Sequence, residues 1–182
     1  MIIADDIPYE MLDQVRDFLA KAIEPEKNVH VRGTSKKVTA EQIEAAATFY
    51  LKRMLPRLHK KVRIFVKLVR SKALAREWSS RSDDGLIVHG FCTWLDSNHR
   101  PREFEIYING DLSAKTILTA LAHEIVHVKQ WATGELKEYI TNRPEKWRGV
   151  DYTDGNYYEF PWEIDAYENE SVLYEEYMVN AN

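Results

Sequence analysis

Cysteine is almost absent from this chain of 182 residues, in which Cys92 is the only one. A single cysteine excludes an intrachain disulfide and cannot form a cysteine-based zinc site by itself. Histidine is also scarce. The chain has six histidines, and none follows His127. Any metal site that uses the C-terminal part of the chain must therefore take ligands from Asp or Glu.

Long apolar runs are missing as well. Nowhere do eighteen uncharged apolar residues follow one another, and the first residues, MIIADDIPYE, contain no basic segment followed by an apolar one. We therefore expect neither a membrane span nor a signal peptide, and a cytoplasmic protein. Seven glycines, six prolines and 45% hydrophobic residues are typical of one compact core, so we expect a single domain over residues 1–182.

Positive charge is unevenly distributed along the chain. Residues 150–182 contain nine carboxylates and neither Lys nor Arg, whereas residues 1–102 hold 19 Lys/Arg against 13 Asp/Glu. The basic residues are densest in LKRMLPRLHKKVR, Leu51–Arg63. This stretch is either the solvated surface of a helix end and the following strand or a contact for nucleic acid, and no recognised nucleic-acid motif accompanies it.

Apolar spacing and capping residues predict four helices. They cover Met11–Ala22, the segment from Thr39 to Pro56, the segment from Ser113 to Gly134, and Pro161–Met178. Three β-rich runs separate the second and third helices, and we interpret them as an antiparallel meander: Val62–Arg70, Leu86–Leu95 and Glu103–Asn109. The expected fold is α+β, with two N-terminal helices, a three- to four-stranded mainly antiparallel sheet, a third helix and a C-terminal helix.

The third predicted helix contains the stretch LAHEIVHVKQW. His123 and His127 are about one turn apart, so their imidazoles project side by side and can bind one ion. Glu124 is rotated by about 100° from His123, which leaves its carboxylate free to take a proton from a metal-bound water. This is the H-E-x-x-H pattern of zinc metallopeptidases, on the helix that the motif requires. It predicts one zinc ion per chain and hydrolysis of peptide bonds, with Glu124 as the general base.

A catalytic zinc ion normally has three protein ligands and one open position. Because no histidine follows His127, the third ligand is expected to be a carboxylate. Glu163 is the strongest candidate, since it lies in the first turn of the C-terminal helix on a face that mixes aromatic and acidic residues. Asp154 and Asp151 are the alternatives.

The two segments together resemble a known family. HEIVHVKQW, followed by PWEIDAYENE with Glu163 located 36 residues after His127, resembles the gluzincin branch of the zincin-like metallopeptidases, in particular small proteins of phage and bacterial genomes. The resemblance implies a zincin-like fold, a polypeptide substrate, and zinc bound by His123, His127 and Glu163 with Glu124 as the base. It also implies that an edge strand beside the metal binds extended substrate, a role that we expect for Glu103–Asn109.

The chain departs from the thermolysin pattern at one position. Four residues after the third ligand, that pattern has an Asp that orients the first histidine, and this chain has Tyr167. Asp165 and Glu170 are therefore the other candidates for a partner that orients a ligand.

The segment between the ligands, KWRGVDYTDGNYYEF, is expected to border the cleft and to offer hydrogen-bond donors to a developing oxyanion. The candidate donors are Arg148, Tyr152, Tyr157 and Tyr158. Two other hypotheses stand beside the peptidase. One is a non-catalytic, zinc-stabilised interaction module of a phage or bacterial complex, and the other is a protease guided to DNA by the basic N-terminal part.

Overall fold

The computed structural model describes residues 27–72, 74, 89–96, 99–138, 145–153 and 157–181. The helix predicted over Met11–Ala22 lies outside these residues. The main elements are, in chain order, β1 (Val29–Gly33), α1 (Ala40–Met54), β2 (Arg63–Val69), β3 (Gly90–Trp94), β4 (Glu103–Asn109), α2 (Ala114–Thr133), β5 (Leu136–Lys137), β6 (Glu145–Trp147), β7 (Val150–Tyr152) and α3 (Pro161–Asn180). The described part of the chain is therefore a mixed α+β structure, as expected.

The principal sheet has four strands in the order β1-β2-β4-β3. The antiparallel meander is wrong, because β1 pairs with β2 in parallel and β2 pairs with β4 in parallel, while β3 alone is antiparallel to its neighbour β4. The physical reason lies in the connections. Helix α1 returns the chain to the end of the sheet where β1 began, so β2 runs in the same direction. Strand β3 pairs with one edge of β4, so the other edge of β4 pairs with β2.

The expectation that Glu103–Asn109 forms the edge strand is also wrong. This segment is β4, which lies between β2 and β3, and among the described residues β3 is the terminal strand on that side. Asn109 N–H donates to His89 O and Leu95 N–H donates to Glu103 O, each at 2.8 Å. Since the bonding alternates along an antiparallel strand, the main-chain groups of residues 90, 92 and 94 point away from β4.

The core lies between one face of this sheet and helices α1 and α2. Alternate residues of β2 and β4 are buried, which is the pattern of strands with one face on the core. The fully buried side chains that meet there include Ile64, Val66, Ile106, Ile108, Ile43, Ile117, Leu121 and Ile125. Helix α3 packs along α2, so α2 is covered by the sheet and by α3.

The helix boundaries follow the predicted signals. Thr39 and Gln42 form the capping box of α1, the Ser113 hydroxyl accepts from Thr116 N–H at the start of α2, and Gly134 ends α2 with φ 78°. Pro161 is the first residue of α3, where its missing N–H costs no hydrogen bond. No helix among the described residues is long and apolar enough to span a membrane.

A second, small antiparallel sheet, β5-β6-β7, connects α2 to α3, where only a loop was expected. Trp147 pairs with Val150, so Arg148 and Gly149 form a two-residue turn. Both have positive φ, 48° and 90°, as type I′ turns require. This short hairpin escaped prediction because its strands have three residues each and its turn lacks the usual Asn-Gly or Asp-Gly pair.

Gly90 allows β3 to lie close to β4 and α2. A Cβ atom added there would be 2.8 Å from Tyr107 O and 3.3 Å from Glu124 Oε1. We expect Gly90→Ala to lower the free energy of unfolding by about 1–3 kcal/mol, because the strand must move to relieve the overlap. Urea denaturation measures this loss. Gly110→Ala is the matched control, since the nearest atom to its new Cβ would be 3.3 Å away, and an equal loss there would contradict the assignment to crowding at Gly90.

Candidate metal centre

Three side chains from two helices converge at the centre of the α2–α3 contact. Helix α2 presents His123 and His127 one turn apart, and the first turn of α3 presents Glu163. The two Nε2 atoms are 3.2 Å apart, and Glu163 oxygens lie 3.4 Å from each of them. These three residues form a group that could hold a metal ion, with all ligand atoms within 4.8 Å of one another.

The size of this triangle fits a tetrahedral ion. Nitrogen and oxygen ligands bind zinc at about 2.0–2.1 Å, so two ligands of one tetrahedral ion lie about 3.3–3.4 Å apart. The two Nε2 atoms are 3.2 Å apart, Glu163 Oε2 lies 3.4 Å from His123 Nε2, and Glu163 Oε1 lies 3.4 Å from His127 Nε2, so each histidine has a different carboxylate oxygen near that spacing. The carboxylate could therefore bind a shared ion through either oxygen or through both.

The outer nitrogen of His123, Nδ1, is the ring nitrogen that does not face the triangle, and its partner fixes the tautomer of the ring. His123 Nδ1 lies 2.8 Å from Glu170 Oε2, and a carboxylate only accepts, so Nδ1 carries the hydrogen. The Nε2 lone pair of the neutral ring then points at the triangle. Of the carboxylates considered as partners, the structure therefore brings Glu170 to the first histidine, one turn beyond Tyr167.

The outer nitrogen of His127 is held by a residue that the sequence analysis missed. His127 Nδ1 lies 2.9 Å from Gln130 Oε1, and Gln130 Nε2 donates to Asp165 Oδ2 at 3.0 Å. Asp165 thus contacts the second histidine through Gln130 instead of contacting His123. A signal existed, since Gln130 is a polar residue within the apolar stripe of α2 and lies three positions after a ligand.

The carboxylates around His123 and His127 favour a positive charge on the two imidazole rings. Burial opposes protonation of both rings, but Glu163 and Glu170 raise the pKa of His123 to about 10, and Glu163 also raises the pKa of His127. Either a proton or a metal cation can relieve the repulsion between lone pairs that face one another at this distance. The same negative field that holds a proton there also favours a divalent cation, which must displace that proton.

Glu124 is a buried acid that adjoins the triangle without belonging to it. Its side chain is buried between α2 and β3, near the backbone of Gly90. Burial raises the pKa of the Glu124 carboxyl, although the neighbouring His123 and His127 oppose the shift. A raised pKa makes Glu124 a better acceptor for a proton released by water.

Two tyrosines border the exposed side of the site. The Tyr167 ring lies 4.7 Å from the His123 ring, and the Tyr158 ring lies 6.4 Å from that of Tyr167. Both tyrosines are exposed. Partial desolvation of the phenol and the nearby Glu163 raise the pKa of Tyr167 to about 12, so this phenol keeps its proton at neutral pH.

The other expected donors occupy different positions. Arg148 donates to Glu135 Oε2 at 3.0 Å and stacks on Trp147, while the Tyr152 ring packs edge-on against Trp162. The side chain of Tyr157 lies outside the described residues. The structure therefore brings Tyr158 towards the site through Tyr167, while Tyr152 packs elsewhere. Arg148 pairs with Glu135 and also lies 4.0 Å from Asp165, the partner of Gln130.

Asp151, one of the two alternative carboxylates, differs from Glu163 in its surroundings. Asp151 forms an ion pair with Lys146 at 2.7 Å on the small sheet, its side chain is half exposed, and it is not part of the triangle. Asp154 lies outside the described residues. Glu163, by contrast, is 2% exposed.

Part of the basic stretch Leu51–Arg63 is already engaged in ion pairs. Arg53 forms a bidentate contact with Glu176, and Arg63 pairs with Glu103 at 3.2 Å. Both pairs are partly exposed and are therefore weak. Contact with nucleic acid stays a prediction, which salt-dependent binding to DNA would test.

Comparison with known proteins adds no relative to this description. No protein-family model, no curated protein and no solved structure matches the chain. The side-chain geometry itself is therefore the basis for assigning a function.

Proposed function

We propose that this protein is a zinc-dependent peptidase of zincin-like fold, in which His123, His127 and Glu163 bind zinc and Glu124 acts as the general base. One observation carries the proposal. Two imidazole nitrogens and a buried carboxylate converge at the spacing of a tetrahedral ion, and a separate buried acid adjoins them. A site that only held two helices together would need the triangle but not that separate acid.

The donor set favours zinc among the common metal ions. Two neutral imidazoles and one carboxylate suit zinc, whereas calcium and magnesium prefer oxygen ligands throughout. Hydrogen bonds to the outer nitrogens of both histidines support this choice, because they direct both Nε2 lone pairs at a common point.

In the proposed reaction, Glu124 does the proton transfer. A bound zinc ion supplies Lewis acidity, which polarises the scissile carbonyl and makes water more acidic. Glu124 takes a proton from the attacking water and later delivers it to the leaving amine. The burial that raises the pKa of Glu124 supports the first transfer, because the protonated form is uncharged.

Strand β3 is the proposed binding edge for substrate. In the described part of the chain it is the terminal strand of the sheet, and it packs against α2, which carries the motif. An extended polypeptide can pair with the main-chain groups of residues 90, 92 and 94 and so pass beside Glu124. Of the expected oxyanion donors, Tyr158 has the best support, since it is exposed next to Tyr167 at the rim of the site.

A non-catalytic zinc site is the second candidate. The three ligands join α2 to α3, and the side chains of His123 and His127 are only 12% and 7% exposed, as in a site that stabilises a helix pair. Under this hypothesis the protein is an interaction module and hydrolyses nothing.

Zinc content and chelator-reversible proteolysis test the proposal together. We expect about one zinc per chain after refolding with zinc, because a two-histidine, one-carboxylate set binds a single ion. We also expect cleavage of an unstructured protein such as casein, which stops on chelation and returns with added zinc. Less than half an equivalent of zinc would contradict the metal centre. Full zinc without cleavage of any unfolded substrate would favour the interaction module.

A further inference from the structure

We infer that Gln130 positions two metal ligands at once, by fixing the tautomer of His127 and by holding the turn of α3 that carries Glu163. The inference rests on the metal centre of the proposed function and is independent of whether the protein cleaves peptides. It concerns a residue three positions beyond the H-E-x-x-H motif.

The orientation of the Gln130 amide follows from its partners. Its nitrogen, Nε2, lies 2.9 Å from Trp162 O and 3.0 Å from Asp165 Oδ2. A backbone carbonyl and a carboxylate accept hydrogen bonds and cannot donate them, so only the NH₂ group satisfies both. The amide oxygen must then face His127.

The orientation of the amide in turn determines the protonation of the imidazole. Gln130 Oε1 lies 2.9 Å from His127 Nδ1, and an amide oxygen only accepts, so Nδ1 must carry the hydrogen. In a neutral ring this leaves the lone pair on Nε2. That atom is the one that lies 3.2 Å from His123 Nε2 and 3.4 Å from Glu163 Oε1.

The same amide holds the third ligand in place. Trp162 O, which accepts from Gln130, belongs to the peptide group that joins Trp162 to Glu163. The partner Asp165 lies on the same helix, two residues after Glu163. Gln130 is fully buried, and a buried amide is stable only when its donors and its acceptor are satisfied. Docking of α3 against α2 therefore satisfies Gln130 and brings Glu163 to the histidines in one step.

The residue type is specific to this task. A glutamate at position 130 would accept a hydrogen bond from His127. Its second carboxylate oxygen would face Trp162 O and the Asp165 carboxylate, which are also acceptors, and that contact is repulsive. A methionine would keep the length of the side chain and remove both kinds of hydrogen bond. His123 needs no such bridge, because its partner Glu170 lies on α3 and accepts directly.

Lys129 provides a matched control. Its Nζ lies 2.8 Å from Glu135 Oε2 and 3.7 Å from Asp165 Oδ2, so it also links α2 to Asp165. It makes no contact with His127 among those described. Lys129→Met thus weakens the interhelical network and leaves the tautomer of His127 unchanged.

The first measurement uses the unmodified protein. In the ¹⁵N–¹H NMR spectrum of the zinc-loaded chain we expect His127 to carry hydrogen on Nδ1 and to bind zinc through Nε2. Coordination through Nδ1 would overturn the inference. Failure of the wild-type chain to bind zinc would overturn it together with the proposed metal centre.

The second measurement compares zinc affinities by chelator competition. We expect Gln130→Met and Gln130→Glu to bind zinc about 10–100-fold more weakly than wild type, which is the usual effect of removing a hydrogen-bond partner of a metal ligand. Lys129→Met should change the affinity by less than about threefold, since it touches no ligand. Circular dichroism verifies that each variant is folded. Wild-type affinity in a folded Gln130→Met chain, or an equal loss in Lys129→Met, would overturn the role of Gln130 and leave the proposed function intact.

Discussion

Glu124→Gln is expected to bind zinc with wild-type stoichiometry and to lose peptide hydrolysis by roughly 10²–10⁴-fold, the range that general-base catalysis contributes. Glutamine has nearly the same shape as glutamate but cannot accept the proton of the attacking water. Zinc should remain because Glu124 is not one of the three converging ligands. The loss should therefore appear in kcat, with the metal content unchanged.

The surroundings of Glu124 make this substitution informative. The side chain is buried beside β3, where the charged form is disfavoured, so a neutral amide should fit without loss of folding stability. Glu168→Gln is the matched control, because it removes the same charge from an exposed position on α3. Zinc content and turnover should be measured on the same preparations of both variants.

Three results would change the assignment. If Glu124→Gln kept more than about a tenth of wild-type turnover, the loss would fall below the range for a general base, and another group would have to accept the proton. If the zinc-loaded wild-type chain itself cleaved nothing, the interaction module would be the better hypothesis. A loss of zinc in Glu124→Gln would instead mean that the ligand set includes Glu124.

The local part of the site could be predicted from the sequence because helical periodicity determines it. Residues four apart on a helix lie on one face, so the positions of His123 and His127 follow once the segment is known to be helical. Glu163 was harder to identify, since it is distant in sequence. The lack of any histidine after His127 pointed to a carboxylate, and Pro161 marked the helix start that carries one.

The non-local pairings could not be predicted in the same way. The runs that became β2, β3 and β4 have strand composition, but their alternation is the same whether neighbours are parallel or antiparallel. Chain order suggested a meander, whereas β4 lies between the two strands that precede it. The edge of the sheet was misplaced for the same reason, since which strand is terminal depends on topology alone.

The structure shows which carboxylates of the acidic C-terminal part have specific partners. Most of the nine carboxylates over residues 150–182 are expected to face water, although Glu163, Asp165 and Glu170 are also candidates for the site. Glu163 joins the triangle, Glu170 holds His123, Asp165 holds Gln130, and Glu176 pairs with Arg53. No periodicity separates these from the carboxylates that face water, because their partners lie on other elements.

The second large effect is expected at Glu163. Glu163→Ala should weaken zinc binding by more than the roughly 10–100-fold that outer partners contribute, because it removes a ligand itself. It should also loosen α3, since bound metal would no longer tether that helix to α2. Chelator competition measures the affinity, and hydrogen exchange of the backbone amides of residues 162–180 in excess zinc measures the tether.

The variant Glu163→Asp tests whether Glu163 acts as a metal ligand or only through its negative charge. The shorter side chain keeps the carboxylate but withdraws it by about one bond length, which the geometry of a zinc site tolerates poorly. We therefore expect intermediate zinc affinity and poor turnover. Full retention of both would mean that Glu163 acts through its charge and not as a ligand.

The alternative aspartates complete the test. Asp151→Ala should leave zinc content unchanged, because that carboxylate pairs with Lys146 away from the triangle. Asp154→Ala should also leave it unchanged if Glu163 fills the third position of a three-ligand zinc site. Normal zinc content in Glu163→Ala, combined with loss in Asp151→Ala or Asp154→Ala, would move the protein to a branch of zincins with an aspartate ligand. His123, Glu124 and His127 would keep their assigned roles, since those depend on α2 alone.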